Sequence, residues 1–383
     1  MRILNIKVDG LPLFKGPQEL CFFAKQRVSE NDKERLLPVF DTVYTQGATA
    51  FIGINASGKT SILKVILVAL GLLNNEPLNH IEGREVLRKA ENAIFDIVFY
   101  SDTQKLCRLK SEIGTRKTKT GDYECYIKAE QLWEKGIDKK LLKKNITAFS
   151  DDDFVTYRRN DEAFLPDDVS FVIARNKNAR ENIDIASLLS MTNINVLPYS
   201  ENIPSEVVEF LDPSIQRLYF ERINDKPLIH LQFKGKEEII LNSSDELENY
   251  LSSGTIKGIV AFSLAKNTLQ SGGYLIIDEI ENHFNREIVS TLMRFFMDSS
   301  FNKNNGSLIF STHYPELLDE YDRNDGIYIV RNRNGISVES LTEILKRNDV
   351  KKSDAYESGL LDGTTPAYAA YMKLKKSLAK TIQ

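Results

Sequence analysis

Long apolar runs are missing from this chain: no stretch approaches the roughly 18 consecutive apolar residues that a membrane-crossing helix requires. The first residues, Met1-Arg2-Ile3-Leu4-Asn5-Ile6-Lys7, alternate polar with apolar side chains and offer no secretion-type apolar core. A protein that is neither exported nor attached to a membrane is expected. Cysteine is scarce as well, with Cys21, Cys107 and Cys125 in no paired spacing, and an odd number argues against a disulfide framework. The expected location is the reducing cytoplasm. Neither sign of charge dominates, because 50 Lys and Arg against 54 Asp and Glu leave a net charge of −4. Whole-chain electrostatics therefore give no reason to expect nucleic acid. No heptad pattern is sustained, so long coiled-coil arms are not expected. The acidic run Asp151-Asp152-Asp153, between Ser150 and Phe154, reads as a helix cap or a solvated loop in preference to a metal site.

What is present is a soluble-type composition, 42% hydrophobic and 27% charged over 383 residues, enough for one large domain or two ordinary ones. Its organising stretch is Gly53-Ile54-Asn55-Ala56-Ser57-Gly58-Lys59-Thr60, which fits the phosphate-loop pattern G-x-x-x-x-G-K-[ST]. The context fits too. Ala48 to Ile52 reads as a buried strand ahead of the loop, and Ser61 to Leu70 reads as a helix after it. Gly53 and Gly58 free the backbone for positive-φ turns, so that successive N–H groups and the helix N-terminus converge on phosphate oxygens. Lys59 brings positive charge to the β- and γ-phosphates, and Thr60 supplies a hydroxyl for Mg²⁺. ATP contacts are expected at Gly53, Asn55, Ser57, Gly58, Lys59, Thr60 and Ser61.

Elsewhere, residues 3–8 alternate as a half-buried strand, with further strands expected at Leu20 to Phe23 and Val39 to Tyr44 and a solvated connection at Lys25 to Arg35. Hairpins are expected at 94–100 with 106–109 and at 228–233 with 238–241, and helical fragments at Ser187 to Met191 and Val207 to Leu211. Charge rises after residue 110, with Arg116-Lys117, Lys119, Lys139-Lys140 and Lys143-Lys144. The expected organisation is a head made of residues 1–110 and 205–383, with residues 111–204 as an inserted α/β or helical lobe. Basic clusters are usually solvated faces, and DNA or RNA contact through the lobe is the alternative use.

Two more apolar segments end in polar tips: Tyr274 to Ile277 runs into Asp278-Glu279, and Ser307 to Thr312 runs into His313. Ligands of open α/β sheets sit at the carboxyl ends of the strands, so these tips can meet on one nucleotide. Asp278 is placed to hold Mg²⁺, usually through water, Glu279 to act as base or to position water, and His313 to contact the γ-phosphate.

The segment Leu251-Ser252-Ser253-Gly254-Thr255, whose Gly254 lies 24 residues before Asp278, opens a helical run, and with the motifs above it resembles the signature of ABC-type ATPases. The common form is Leu-Ser-Gly-Gly-Gln, from which Ser253 and Thr255 depart. The resemblance extends to ATPases of the SMC and RecF kind. Through Asp278-Glu279-Ile280-Glu281-Asn282-His283-Phe284-Asn285, Ser311-Thr312-His313-Tyr314-Pro315 and the tail 356–366, it reaches the OLD-like and RecF-like ATPases of bacterial anti-phage systems such as Septu, PARIS and retron-associated ones. It implies an ABC-type ATPase head and a head-to-tail homodimer or larger homo-oligomer, in which Ser252 and Gly254 of one subunit touch the γ-phosphate on the other. Asn285 stands where that family often has Asp, and Asn92 and Gln104 are the two candidates for its glutamine loop. OLD-like chains carry a large C-terminal nuclease, and the 70 residues after His313 are too few for one. The expected effector is therefore a separate protein, a nuclease from a neighbouring gene. A RecF-like DNA-maintenance ATPase is the second reading and a transporter subunit the third.

Overall fold

A computed structural model describes residues 1–137, 141, 143–159, 165–172, 176, 182–189, 203–223, 226–282, 284–361 and 368–381. Its centre is built from strands with no polar face. β5 (Ala48–Ile52), β14 (Tyr274–Ile277) and β15 (Ser307–Thr312) are buried at every position, as strands covered on both sides must be. They lie side by side and parallel in the order β14-β15-β5. β10 (Ile185–Ser187) extends this sheet beyond β14, β16 (Ile327–Asn332) extends it beyond β5, and β17 (Ile336–Ser340) closes that edge antiparallel.

Successive side chains of these strands enter two different cores. Phe51, Ile276, Ile309 and Tyr328 face the core that contains α1 (Lys59–Leu73), while Ala50, Leu275, Ile277 and Phe310 face α3 (Ser253–Ser271) and α4 (Arg286–Met297). Every residue of α1 from Val65 to Leu73 is buried. A helix apolar all round needs cover on both sides, and a second sheet supplies it. That sheet is antiparallel, ordered β2-β1-β6-β7-β8-β9, from β1 (Arg2–Asp9), β2 (Gln18–Cys21), β6 (Ala93–Tyr100), β7 (Lys105–Lys117), β8 (Tyr123–Gly136) and β9 (Phe154–Arg159). Ile6, Val8, Phe95, Ile97 and Leu109 bring it into the α1 core. A third core unites α2 (Ser205–Leu211), the start of α3, and the antiparallel strands β11 (Ile215–Ile223), β12 (Lys226–Phe233) and β13 (Glu238–Leu241). After β17 come α5 (Leu341–Ile344), α6 (Lys352–Glu357) and α7 (Tyr368–Thr381). No described helix is long and apolar enough to cross a membrane, and the described residues form an α/β fold without a long coiled coil.

Several local expectations are corrected. The strand expected at Val39 to Tyr44 is a hairpin, β3 (Leu36–Phe40) and β4 (Val43–Gln46), turned at Asp41 with φ +43°. β1 is covered on both faces only over its first half, where a register shift between Ile3 and Asn5 accompanies Leu4 entering the cluster with Val43 while Ile3, Ile6 and Val8 share the α1 core; Lys7 and Asp9 are exposed, as the alternation predicts. Of the helical fragment expected at Ser187 to Met191, Ser187 is the last residue of β10, which pairs with β14, and Leu188 and Leu189 follow outside any helix; Ser190 and Met191 lie outside the described residues, as do Lys139, Lys140, His283 and 363–366. The division expected at residue 110 falls inside β7, where Arg116, one of the charges that suggested a lobe, and the earlier Lys105 and Arg108 are all paired with acids. Arg108 meets Asp96 at 2.6 Å, Lys105 meets Glu134 at 2.9 Å, and Arg116 meets Glu124 at 3.0 Å and Asp167 at 2.7 Å. Lys143 donates to the carbonyls of Ala24 and Gln26, each at 3.1 Å. Asp153 and Ser150 form a reciprocal capping box, which accounts for the acidic run without a metal.

Two buried tyrosines pin the sheets together. The Tyr274 hydroxyl accepts the Ile3 N–H at 2.8 Å, and the Tyr328 hydroxyl donates to the Cys21 carbonyl at 2.6 Å while accepting the Cys21 N–H at 2.8 Å. Tyr328→Phe leaves both Cys21 groups unpaired in a dry interior and is expected to cost about 1–3 kcal/mol, read as a lowered urea midpoint at unchanged slope.

Candidate nucleotide site

Because β14, β15 and β5 are neighbours running the same way, the turns at their carboxyl ends lie together. The loop after β5 is shaped by its glycines. Gly58 has φ +103°, and a Cβ there would come within 2.6 Å of the Ile336 side chain. A Cβ on Gly53 would come within 2.4 Å of the Val330 carbonyl and 2.5 Å of the Ser57 hydroxyl. Gly58 is the N-cap of α1, so the first N–H groups of that helix open toward the loop. Lys59 is buried, and its ammonium donates to the carbonyls of Gly53 at 3.0 Å and Ile54 at 3.4 Å and lies 3.1 Å and 3.3 Å from the two ring nitrogens of His313. Burial pushes this ammonium below the ordinary lysine range, opposed by Glu281, Asp278 and Glu279.

Asp278 stands directly after β14. One carboxylate oxygen accepts from the Thr60 hydroxyl at 2.6 Å and the other from the Ser311 hydroxyl. Glu279 follows with φ +47°, a left-handed conformation that turns the chain out of the sheet. Its N–H donates to the Ser311 hydroxyl at 2.8 Å, its carboxylate accepts from the Asn282 amide at 2.7 Å, and its other oxygen is 3.6 Å from His313 Nε2. Asn55, Ser57, Gly58, Lys59, Thr60, Ser61, Glu279 and His313 line one cleft of about 740 Å³, with Pro12 and Leu13 from the β1–β2 loop and Asn332, Gly335 and Ile336 from the β16–β17 hairpin. Gly53 and Asp278 stand behind this lining.

Other expected residues lie elsewhere. Ser252 and Gly254 are absent from the lining; they begin α3, where the Ser252 hydroxyl accepts the Thr255 N–H at 3.0 Å. Asn285 caps α4 by accepting the Ile288 N–H at 3.0 Å. Neither Asn92 nor Gln104 lines the cleft. Conversely, Ser311, Asn282 and Glu281 bind the catalytic-type residues to one another without having been singled out for a role. The signal for Glu281 was in plain view, as a third carboxylate in Asp278-Glu279-Ile280-Glu281.

The family described as "AAA domain, putative AbiEii toxin, Type IV TA system" matches residues 48–319. The chain belongs to this AAA domain family. The matched span runs from β5 past His313, so in this AAA domain it carries the loop and both strand-end tips. Among solved structures, the SMC head domain from Thermotoga maritima is similar at 14% identity, covering 89% of this chain and 99% of that one with a TM-score of 0.43. No curated protein matches the chain. The family match, spanning the phosphate loop and both strand-end tips, makes it a P-loop ATPase-type domain.

The donor set suits a magnesium–nucleotide complex. Thr60 and Asp278 present hard oxygen ligands 2.6 Å apart, and among the described residues no cluster of three or more His, Cys, Asp or Glu side chains could hold a metal alone. The rest of an octahedron would come from phosphate oxygens and water. Gly58→Ala is expected to weaken ATP binding about tenfold or more, since left-handed strain alone costs about 1–2 kcal/mol and the Ile336 contact adds to it. Titration with a fluorescent ATP analogue checks this; wild-type affinity would show that the loop does not use this conformation on nucleotide.

Proposed function

We propose that the chain is the ATP-binding and ATP-hydrolysing subunit of a bacterial anti-phage defence complex, which dimerises around ATP and controls a separate effector, a nuclease. The observation that carries the ATPase part is the convergence of Lys59, the Thr60–Asp278 pair, Glu279 and His313 at adjacent strand ends. In this reading Lys59 and the α1 N-terminus bind the phosphates, and Thr60 and Asp278 hold Mg²⁺, which neutralises charge on the β- and γ-phosphates when bound. Glu279, oriented by Asn282, takes a proton from the attacking water, and His313 contacts the γ-phosphate.

Dimerisation is supported by the signature residues. Ser252 and Gly254 lie at the start of a 19-residue helix and outside the cleft, where a helix N-terminus offers N–H groups to a phosphate on another subunit. The defence role is supported by resemblance to OLD-like and RecF-like anti-phage ATPases, and by a family description that names a toxin–antitoxin system, which implies a partner. A RecF-like DNA-binding role is less favoured because Arg116 and Lys143 are engaged within the protein. A transporter role has no structural support of its own.

Glu279→Gln is expected to lower the ATP turnover rate by about 10²–10⁴-fold while retaining ATP, and to trap a dimer seen by light scattering with ATP and Mg²⁺ that disperses with EDTA. Co-expression of this variant with its genomic neighbours should recover one of them stoichiometrically. Unchanged turnover would overturn the assignment of Glu279. Recovery with DNA, together with DNA-stimulated turnover of steep salt dependence, would replace the defence reading by the DNA-maintenance one.

A further inference from the structure

Glu281 is a carboxylate that the nucleotide motifs do not require, yet it is buried at 7% exposure beside the site. One of its oxygens accepts the backbone N–H of His313, and the other has no partner. A single N–H does not need a charged acceptor, and a buried charge is costly unless an opposite charge is near. Glu281 is the strongest of the three carboxylates that oppose the loss of solvation of the Lys59 ammonium.

The bonds between the 278–282 turn and the tip of β15 divide the work. Ile280 N–H donates to the Ser311 carbonyl at 3.0 Å and Glu279 N–H to the Ser311 hydroxyl at 2.8 Å, so both stop two residues short of His313. The Glu281 bond is the one of this set that reaches His313 itself. His313 and Glu279 belong to different segments, and their side chains stand 3.6 Å apart.

We propose that Glu281 is a positioning residue of this site: it fixes the His313 backbone, and through it the ring's placement against Glu279 and the γ-phosphate. The proposal rests on the ATPase reading above and names a part of its machinery. A misplacement of about 1 Å costs on the order of a hundredfold in rate.

The test is a double-mutant cycle of Glu281→Ala with His313→Ala, followed both in ATP turnover and in the dissociation rate of a fluorescent ATP analogue. Glu281→Ala alone should lower kcat about a hundredfold and leave KM within about threefold. Glu281→Gln, which keeps the acceptor oxygen, should stay within about tenfold of wild type, and Glu281→Asp, too short to reach the N–H, should resemble alanine. On the His313→Ala background, Glu281→Ala should add less than about twofold, because residues acting through one another do not add. An undiminished loss on that background, a change confined to KM, or wild-type turnover in the aspartate variant would overturn the proposal, and the aspartate and glutamine forms decide it if the alanine form does not fold. A wild type that binds the analogue without turnover defeats only the hydrolysis reading, and the same cycle in dissociation rates then decides Glu281. A wild type that retains no nucleotide overturns both.

Discussion

A helix that is apolar on every face cannot lie on the outside of a sheet, and α1 is such a helix. Covering Val65 to Leu73 on one side only would leave its far face in water, at roughly 25 cal/mol for each Å² exposed. The antiparallel sheet is the second cover, and this is why the first hundred residues bracket the phosphate loop. The helix whose N-terminus must meet a charged ligand is thereby held at its other end and along both sides. Tyr274 and Tyr328 then fix the register between the covers, because each hydroxyl satisfies backbone groups on the opposite sheet. A ligand at the Gly58 end meets a preformed arrangement of donors, and little ordering entropy remains to be lost on binding.

The polar part of the site is organised by a second constraint, the need to satisfy carboxylates at the edge of a dry sheet. The Asp278 carboxylate does so through Thr60 and Ser311, that of Glu279 through Asn282, and that of Glu281 through the His313 backbone, while the Glu279 N–H donates to the Ser311 hydroxyl. Ser311 is shared by the first two. Its hydroxyl donates to Asp278 and accepts from Glu279 N–H, so a small side chain at the tip of β15 sets the height of two acidic groups on β14's turn. Such a network specifies one geometry because Asp278, Glu281 and Ser311, left alone, would be buried unpaired groups.

The strand-end groups were legible in the sequence because each signal was local. An apolar strand covered on both sides reads as an unbroken run, and Asp278-Glu279 and His313 follow immediately after such runs. The corrected elements are those whose state is decided by distant partners. Ser187 ends a strand instead of opening a helix because β10 pairs with the edge of β14, and Asp41 turns the chain where local propensity would have continued it. Arg116 looked like part of an exposed charged lobe because its acidic partners, Glu124 and Asp167, lie 8 and 51 positions away in sequence. Glu281 was overlooked for a related reason, since nothing in a linear pattern shows that its side chain ends at the N–H of a residue 32 positions later.

The contacts of Lys59 carry a consequence for how the site responds to a ligand. An ammonium has three protons to donate, and here they are directed at the carbonyls of Gly53 and Ile54 and at the ring of His313. A phosphate that takes one of them must take it from the loop or from the histidine. The Gly53 carbonyl belongs to buried backbone that continues directly from the fully buried strand β5. The His313 ring has more freedom, being 28% exposed. On the ATPase reading, a phosphate at the loop is expected to weaken the lysine–histidine contact first, so that occupancy of the loop and placement of the histidine are coupled through Lys59.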